Sequence, residues 1–453
     1  VWLVCGLLML AVTSCKDDLL YTDGEPIPEG ETTIIAQVDF RPLVEGLAGK
    51  SRTAGDAIKS IQDLCVLLYD TEGNFVEGHS LESISNANPT DGQFYVNEVT
   101  RKDGDAPDAP DGGTIAETKT PQANLKLTIP YGRYYIYAVA NMGEDFKKAV
   151  QAHGKENGAA EEVAKYKTAI ATKEGLKSIS LTWDVADVAK NSQMFGHFTI
   201  VGQENNSELI TINKKGMKLH SWIRRAASKV TIAYDGSKLE EGVFIYLKSV
   251  TIKDIPQNCC LGQDNPAVPE NYQPKDRDEG VKLDLIKNGE TIKYYEGDTE
   301  PTISDFKETY EARITKGKPL FGSKEQGENA YHPKKLADVH TEITNALYFY
   351  ENMQGKGKEG TPSDKRQVVA NTLNKPEPTY PNGGQENNEA WKDAKPYGTY
   401  IEVDAFYVSI NDKKVGRGPI KYRFMLGKDV ITDYNAERNH HYKLTLKFKG
   451  YAN

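Results

Sequence analysis

Apolar and polar residues alternate with a period of two along many short stretches of this sequence, a pattern typical of β-strands that bury one face. Between residues 32 and 40, Ile34, Ala36, Val38 and Phe40 share one face, and two of the three residues between them are polar. The chain also holds 25 Tyr, a residue that suits half-buried strand surfaces. We therefore predict an all-β fold, with strands over residues 32–40, 61–69, 125–141 (with a Pro-Tyr-Gly turn), 178–183, 195–201, 228–234, 243–255, 346–350, 400–410, 421–426 and 442–448.

The chain of 453 residues is long enough for two or three domains of roughly 150 residues each. Its one long helical candidate is residues 144–172, rich in Ala, Lys and Glu and interrupted near Gly154 to Gly158. We expect a minor helical insertion there. A new set of strands begins after the basic pair Arg224-Arg225, which we interpret as a turn, and we place the domain boundary near Arg224.

The charge and the motifs argue against several classes of function. The net charge of −9 gives no positive field that would attract nucleic acid or an anionic membrane. The sequence lacks the HExxH, GxSxG and P-loop patterns, and the GxGxxG at Gly355 opens no apolar helix. His440 and His441 are adjacent and would face opposite sides of a strand, so they are unsuited to bind one metal ion. We expect no enzyme activity, no catalytic residues, no cofactor and no metal.

The first twelve residues, VWLVCGLLMLAV, form an apolar run that is too short to span a bilayer as a helix. We interpret residues 1–14 as a signal peptide whose basic n-region is missing, so we expect the true start to lie elsewhere. Thr13, Ser14 and Cys15 resemble a bacterial lipoprotein cleavage box, in which Cys15 is acylated, with palmitate among the expected chains, and becomes the mature N-terminus. The alternative is a buried cysteine that ends an apolar run by chance. Residues 16–18, Lys-Asp-Asp, look like the surface-export tag of Bacteroidetes lipoproteins.

The remaining cysteines suggest an exported protein without disulfides. Cys65 lies inside an apolar run and is predicted to be a small buried residue. Cys259 and Cys260 are adjacent, so a bridge between them would be strained, and we interpret both as free thiols.

Three segments are predicted to be loops. The acidic stretch from Asp103 to Gly113 lacks the ligand spacing of an EF-hand, so a solvated loop is favoured over a calcium site. Residues 256–342 and 352–397 are polar, rich in Gly, Pro and Lys, and carry several Tyr. Loops of this length in a compact domain are usually functional or mobile.

Six stretches, spread over nearly the whole chain, form a specific ordered set: 132–141 (GRYYIYAVAN), 224–232 (RRAASKVTI), 347–352 (LYFYEN), 400–407 (YIEVDAFY), 422–427 (YRFMLG) and 437–453 (ERNHHYKLTLKFKGYAN). Together they resemble the Mfa-like fimbrillins, the type V pilus (fimbrium) subunits of Bacteroidales. The two long loops match nothing in that family.

The resemblance implies two transthyretin-like β-sandwich domains and a cell-adhesion function. In that family the precursor is a lipoprotein of the cell outer membrane, touching the membrane only through its lipid, and an arginine-specific protease cuts an N-terminal loop. The first strand is then lost, and a strand from another subunit, identical or different, replaces it by donor-strand exchange. Here the implied parts are a signal peptide (1–14), a lipidated pro-segment with the displaceable strand (15–52), an N-terminal sandwich (53–224) and a C-terminal sandwich with long loops (225–453).

The cut that this mechanism needs is predicted between Arg52 and Thr53. The segment from Arg41 to Gly55 has no strand period and holds three Gly, so we predict an open loop there. Arg41 precedes Pro42, a bond that trypsin-like proteases attack poorly, whereas Arg52 lies in the Gly-rich part of this segment. Loss of the strand that carries Ile34, Ala36, Val38 and Phe40 would open a groove with two unpaired edges, which an incoming strand can fill.

The C-terminal strand helps to predict where in the fibre this subunit lies. Tyr442, Leu444, Leu446 and Phe448 alternate with polar residues, a pattern that suits either a core strand or a donor strand. Only five residues follow Phe448. If this strand completes its own domain, we therefore expect the subunit to accept a strand from a neighbouring subunit and to donate none. That favours a tip subunit over a stalk subunit, with the long loops binding a host or bacterial surface receptor. The alternative is an uncleaved surface lipoprotein that anchors a pilus or binds glycan.

Overall fold

The computed structural model describes residues 26–40, 44–46, 60–77, 80–83, 95–100, 122–152, 161–184, 188, 192–203, 207–240, 243–265, 285–286, 289–293, 346–355, 398–411, 413–429 and 431–450. No helix within these ranges has the length and apolar character needed to cross a membrane.

The first half of the chain is built from strands with one short helical insertion. Each helix buries only a few of its described side chains. In the first helix Phe146, Ala149 and Val150 are buried on one face. In chain order the elements are β1 (Glu31–Phe40), β2 (Val44–Gly46), β3 (Ser60–Tyr69), β4 (Ser80–Ser83), β5 (Tyr95–Thr100), β6 (Gln122–Pro130), β7 (Gly132–Ala140), α1 (Glu144–Gln151), α2 (Glu161–Ile170), α3 (Lys173–Lys177), β8 (Ser180–Thr182), β9 (Met194–Ile200), β10 (Leu209–Ile212) and β11 (Lys218–Arg225).

The second half is also made of strands. Two of its long strands, over residues 400–411 and 414–425, form an antiparallel hairpin. The elements are β12 (Ala227–Leu239), β13 (Val243–Lys253), β14 (Ile255–Pro256), β15 (Asn258–Cys260), β16 (Leu285–Ile286), β17 (Thr291–Lys293), β18 (Ala346–Tyr350), β19 (Tyr400–Asn411), β20 (Lys414–Met425) and β21 (His440–Gly450).

The sheets follow the two halves of the chain, with two exceptions. A nine-stranded sheet has the order β4-β6-β1-β11-β9-β7-β3-β5, with β10 beside β7. Two four-stranded sheets, β18-β12-β21-β2 and β17-β13-β19-β20, belong to the second half. The exceptions are β2, which pairs with β21, and β8, which pairs with β15. Both link the two halves.

Each half has its own apolar core. The first core gathers the inward residues of the nine-stranded sheet, such as Ile136, with Phe146 from the helical insertion. In the second, inward residues of the two four-stranded sheets face each other, among them Ile232, Val403 and Tyr442. Two facing sheets over a shared core form a β-sandwich. The predicted all-β class and the minor helical insertion are confirmed.

Most predicted strands lie within two residues of their observed positions, but three expectations are wrong. The pair Arg224-Arg225 is not a turn; it ends β11, and the chain changes sheet at Ala226. The segment from Arg41 to Gly55 is not wholly an open loop, because it contains β2. The predicted loop over 256–342 is not wholly a loop, because β15, β16 and β17 lie within it.

The two cysteine predictions that fall on described residues hold. Cys65 is buried in β3, and Cys259 and Cys260 form no disulfide. Burial raises the pKa of the Cys259 thiol to about 12, so it behaves as an inert buried group. The acidic stretch 103–113 lies outside the described residues.

A short segment of the second half, residues 258–265, is docked on the first half. Its strand β15 pairs with β8, and the backbone N–H groups of Leu261 and Gly262 donate to the carbonyls of Ile179 and Lys177 at 2.9 Å each. The two halves are therefore joined by backbone hydrogen bonds as well as by the covalent link at Ala226.

A buried arginine fastens this segment to the C-terminal region. Arg438 pairs with Glu351 and donates to the carbonyls of Leu261, Cys260 and Gln263 at 2.8, 3.1 and 3.1 Å. Burial alone would raise the pKa of Glu351, but the hydrogen bonds and charge of Arg438 lower it below its usual value. The guanidinium thus holds three carbonyls and one carboxylate in place at the junction.

We predict that Arg438→Met destabilises the chain by about 3–5 kcal/mol, because it leaves the Glu351 carboxylate buried without its countercharge. The double variant Arg438→Met with Glu351→Met should be less destabilised than the single variant. Urea unfolding of the three proteins checks this, and equal losses in the single and double variants would contradict it.

A second buried ion group lies in the β13-β19-β20 sheet. Glu402, whose side chain is 2% exposed, contacts Lys253 and accepts a hydrogen bond from Arg423 at 2.7 Å. Burial would raise the pKa of Glu402, but the two cations lower it to about 2. Since the pKa is lowered in the folded state, the stabilisation is complete above the carboxyl's ordinary pKa of 4.5 and is lost as the pH falls toward 2.

We expect Glu402→Gln to lose about 3 kcal/mol of unfolding free energy at pH 7, near the low end for a broken buried pair because Lys253 is partly exposed. The difference from the wild type should shrink as the pH falls from 4.5 toward 2. Denaturation at a series of pH values measures it, with Glu240→Gln, at an exposed glutamate, as the matched control. A difference that is constant with pH would refute the assignment.

Candidate functional site: the groove that holds the first strand

The first strand, β1, is an interior strand of the nine-stranded sheet. It runs antiparallel to β6, with Glu31 opposite Pro130 and Asp39 opposite Gln122. On its other side it runs parallel to β11, where Phe40 pairs with Ile223. Both backbone edges of β1 are therefore hydrogen-bonded, and its removal would leave two unpaired edges facing each other across an empty slot.

The inward face of β1 completes the first core. Ile34, Ala36 and Val38 are each fully buried, and Thr32 is 5% exposed. Full burial of a Val or Ile side chain stabilises a fold by about 1.5–3 kcal/mol. Loss of β1 would thus expose the core as well as the sheet edges.

Polar contacts fasten the outward face of β1 to β11. The Asp39 carboxylate lies 2.7 Å from Nε2 of His220, and each side chain is only 13% exposed. The Gln37 amide donates to the same carboxylate at 2.9 Å. The rings of Trp222 and His220 pack in a T-shaped arrangement, with the ring centroids 5.0 Å apart. The slot therefore has an apolar inner wall and a charged site on its outer wall.

The same N-terminal segment continues into the second half. Three residues after β1, the strand β2 pairs in parallel with β21, with Val44 opposite His440 and Gly46 opposite Tyr442. Its partner β21 pairs with β12 along its other edge. The strands β1 and β2 thus lie along the first and the second half of the molecule, respectively.

The two halves place their first strands in the same way. In the first half β1 lies between an antiparallel partner, β6, and a parallel partner, β11. In the second half β12 lies between antiparallel β18 and parallel β21. The difference is covalent: β12 follows β11 directly through Ala226, whereas β1 is joined to β3 only through residues 41–59, of which β2 alone is described.

Several predicted site residues fall outside the described residues, namely Cys15, Arg52 and Thr53. Of the predicted displaceable strand, Ile34, Ala36 and Val38 point into the core as expected from the alternation, and Phe40 lies in β1. The predicted cut therefore concerns the segment that joins β2 to β3.

The residues named on the C-terminal strand all lie in β21. They are buried in the second core, with exposures of 0% for Tyr442, 9% for Leu444, 4% for Leu446 and 5% for Phe448. The strand is interior to its sheet, between β12 and β2. Its neighbours His440 and His441 make separate contacts, with the Arg438 carbonyl and with Thr231 respectively.

Sequence reasoning missed the parallel wall of the groove, β11. Its inward residues are Leu219, Ser221 and Ile223, and the signal was present as a period of two. The serine and the two arginines at the end of the strand obscured it. Among the described residues no group of three or more His, Cys, Asp or Glu side chains could hold a metal ion.

Comparisons with known proteins give a partial family match and distant structural neighbours. Residues 347–446 match a domain of unknown function (DUF4906). No curated protein matches the chain. A protein assigned to cell adhesion from Bacteroides eggerthii is 10% identical, with a TM-score of 0.35 and coverage of 95% of this chain and 89% of that one.

Two further neighbours come from Porphyromonas gingivalis. The tip fimbrial protein Mfa3, in a C-terminally truncated form, is 11% identical, with a TM-score of 0.37 and coverage of 92% and 94%. The fimbrial anchor protein Mfa2 is 10% identical, with a TM-score of 0.21 and coverage of 53% and 66%. All three neighbours are less than 25% identical to this chain and have TM-scores below 0.5.

Adjacent isoleucines on opposite faces of β1 provide a matched pair for testing the groove. We predict that Ile34→Ala, at a fully buried position, costs about 2–5 kcal/mol of unfolding free energy. Ile35→Ala, at a side chain 41% exposed, should change it far less. Chemical denaturation of both variants measures the contrast, and similar losses would show that β1 does not complete the core.

Proposed function

We propose that this chain is a subunit of a surface fimbria that assembles by exchanging its first strand. The observation that carries the proposal is the placement of β1 and β2: β1 fills an interior slot in the first half, and β2 pairs with β21 in the second. A single cut after Arg52 would leave these two strands attached to the body only by non-covalent contacts. A strand from another subunit could then occupy the same slot.

The slot has what a strand-accepting site needs. Its two edges, β6 and β11, offer main-chain hydrogen bonds in a fixed register, which supplies affinity. Its inner wall offers separate places for alternate side chains, where Ile34, Ala36 and Val38 now lie. An incoming strand would therefore be bound tightly and in one direction, which suits a linear polymer.

Export and anchoring are the second part of the proposal. We infer that Cys15 is acylated and holds the precursor at the outer membrane, because an apolar run and small residues precede it. The predicted cut at Arg52 separates this lipid from the body. Processing would thus release the subunit and open its groove in one step.

We place the subunit at the tip of the fibre as an adhesin. Its strand β21 pairs with β12 along one edge, and all four of its predicted apolar residues are buried in the second core, so donation of β21 would dismantle that core. A subunit that accepts a strand but keeps β21 is suited to a terminal position. The proposed receptor-binding region comprises the parts of segments 256–342 and 352–397 that lie outside the described strands and outside the docked residues 258–265.

The proposal predicts that an arginine-specific protease converts the full chain to a form that begins at Thr53, and that this form takes up a strand from a second subunit. Arg52→Ala should abolish both events, because trypsin-like cleavage needs the basic side chain. Arg41→Ala is the matched control and should be processed normally, since Arg41 precedes Pro42. N-terminal sequencing and a non-denaturing gel measure the two events.

Two results would overturn the proposal. If fibres contain the chain with an acylated Cys15 at its N-terminus, the chain is not processed, and a fixed anchor or surface binder replaces a strand-exchanging subunit. If the chain is cut at Arg52 but residues 31–46 stay bound in the presence of excess partner, the groove is not an exchange site.

A further inference from the structure

The inner wall of the groove contains a hydroxyl group that its present occupant does not satisfy. Ser221 of β11 is fully buried, and its Oγ makes no hydrogen bond to any described residue. In the parallel register Ser221 stands beside Val38 of β1, which is also fully buried, so both side chains lie on the core face. A valine offers this hydroxyl no partner, although a buried polar group left unpaired is unfavourable.

A hydroxyl side chain in place of Val38 would supply that partner. Threonine has nearly the shape of valine, and hydroxyl pairs across neighbouring strands are favourable. The protein already uses such pairs, between Thr33 and Thr128 at 3.1 Å and between Thr251 and Thr291 at 3.2 Å. The groove is therefore chemically better matched to a Thr or Ser at this position than to its own strand.

The middle of the groove accepts only a small side chain. Ala36 is fully buried and lies in register with Leu125 on one side and Leu219 on the other. Both leucine side chains are at most 1% exposed. A larger residue would overpack this point.

The outer wall selects for an acid. His220, which packs against the Trp222 ring, faces the Asp39 carboxylate at 2.7 Å. An aspartate or glutamate at this place is recognised by a strong, directional contact, and a neutral residue is not.

We propose that the groove selects a partner strand of defined chemistry: a small residue at the place of Ala36, a Thr or Ser at the place of Val38, and an acid at the place of Asp39. The occupant is a strand of another subunit that runs in the direction of β1, parallel to β11. This inference rests on the proposed function and specifies its partner.

Labelled peptides that span residues 31–46 test the selection, each mixed in excess with the full chain after cleavage at Arg52. The Val38→Thr peptide should bind about fivefold more tightly than the parent peptide, the gain of one hydrogen bond. The Ala36→Leu peptide should bind at least about fivefold more weakly, and the Asp39→Asn peptide about tenfold more weakly. The Ile35→Thr peptide, altered at an exposed position, is the control and should match the parent.

Variants of the groove itself identify the contacts. In Ser221→Ala protein the advantage of the Val38→Thr peptide should vanish, and in His220→Gln protein the penalty of the Asp39→Asn peptide should vanish. Peptide effects that are the same in wild-type and variant proteins would overturn the inference while leaving strand exchange intact.

Failure of the parent peptide to bind the cut chain would count against strand exchange, the proposed function. The groove chemistry is then measured in the uncut chain by a double-mutant cycle of Val38→Thr and Ser221→Ala in urea unfolding. A favourable coupling between the two hydroxyls supports the inference, and zero coupling overturns it.

Discussion

The pairing of β1 with both β6 and β11 is the contact on which the first half of the molecule depends. One strand closes the sheet between two others and supplies Ile34, Ala36 and Val38 to the core. A strand at the edge of a sheet could be lost with modest damage, whereas an interior strand leaves two open edges and an exposed core behind it. The first half therefore requires an occupant in this slot, whether or not that occupant belongs to the same chain.

The two halves share one strand arrangement but differ in how their first strand is covalently joined to the rest of the chain. The arrangement β6-β1-β11 is repeated as β18-β12-β21, with the parallel and antiparallel neighbours in equivalent places. The second-half strand β12 is bound into the chain at Ala226, so it stays in its slot. At the junction of the two halves, Arg438 binds Glu351 and three backbone carbonyls of residues 258–265. These polar contacts add to the covalent connection at Ala226. Only the N-terminal slot has an occupant that a single cut would free.

The period-two pattern predicted many of the strands. The remaining parts of the fold could not be predicted from it, for physical reasons. The alternation around Ile34 and Val38 predicted both β1 and its buried face. It did not reveal β11, because Ser221 interrupts the apolar face and the final arginines look like a turn. Nor does periodicity identify partners: Ile35 pairs with Lys218, far along the chain, and such a contact depends on how the whole sheet closes. The sequence thus predicted the strand that occupies the groove, but it did not predict the neighbouring strands that form the groove.

If the proposed strand exchange takes place, tethering explains how one slot can hold its own strand before cleavage and another strand afterwards. While β1 is joined to the body through residues 41–59, its effective concentration at the slot is set by that short linker and is on the order of millimolar. A free strand at lower concentration competes poorly even if it fits better. Cleavage within the linker removes this advantage without altering a single contact in the groove. The outcome is then decided by fit alone, and the buried hydroxyl of Ser221 beside Val38 is the point at which the resident strand fits least well. In the proposed mechanism, a modest mismatch of this kind would let β1 complete the fold while it is tethered and would still allow its replacement after cleavage.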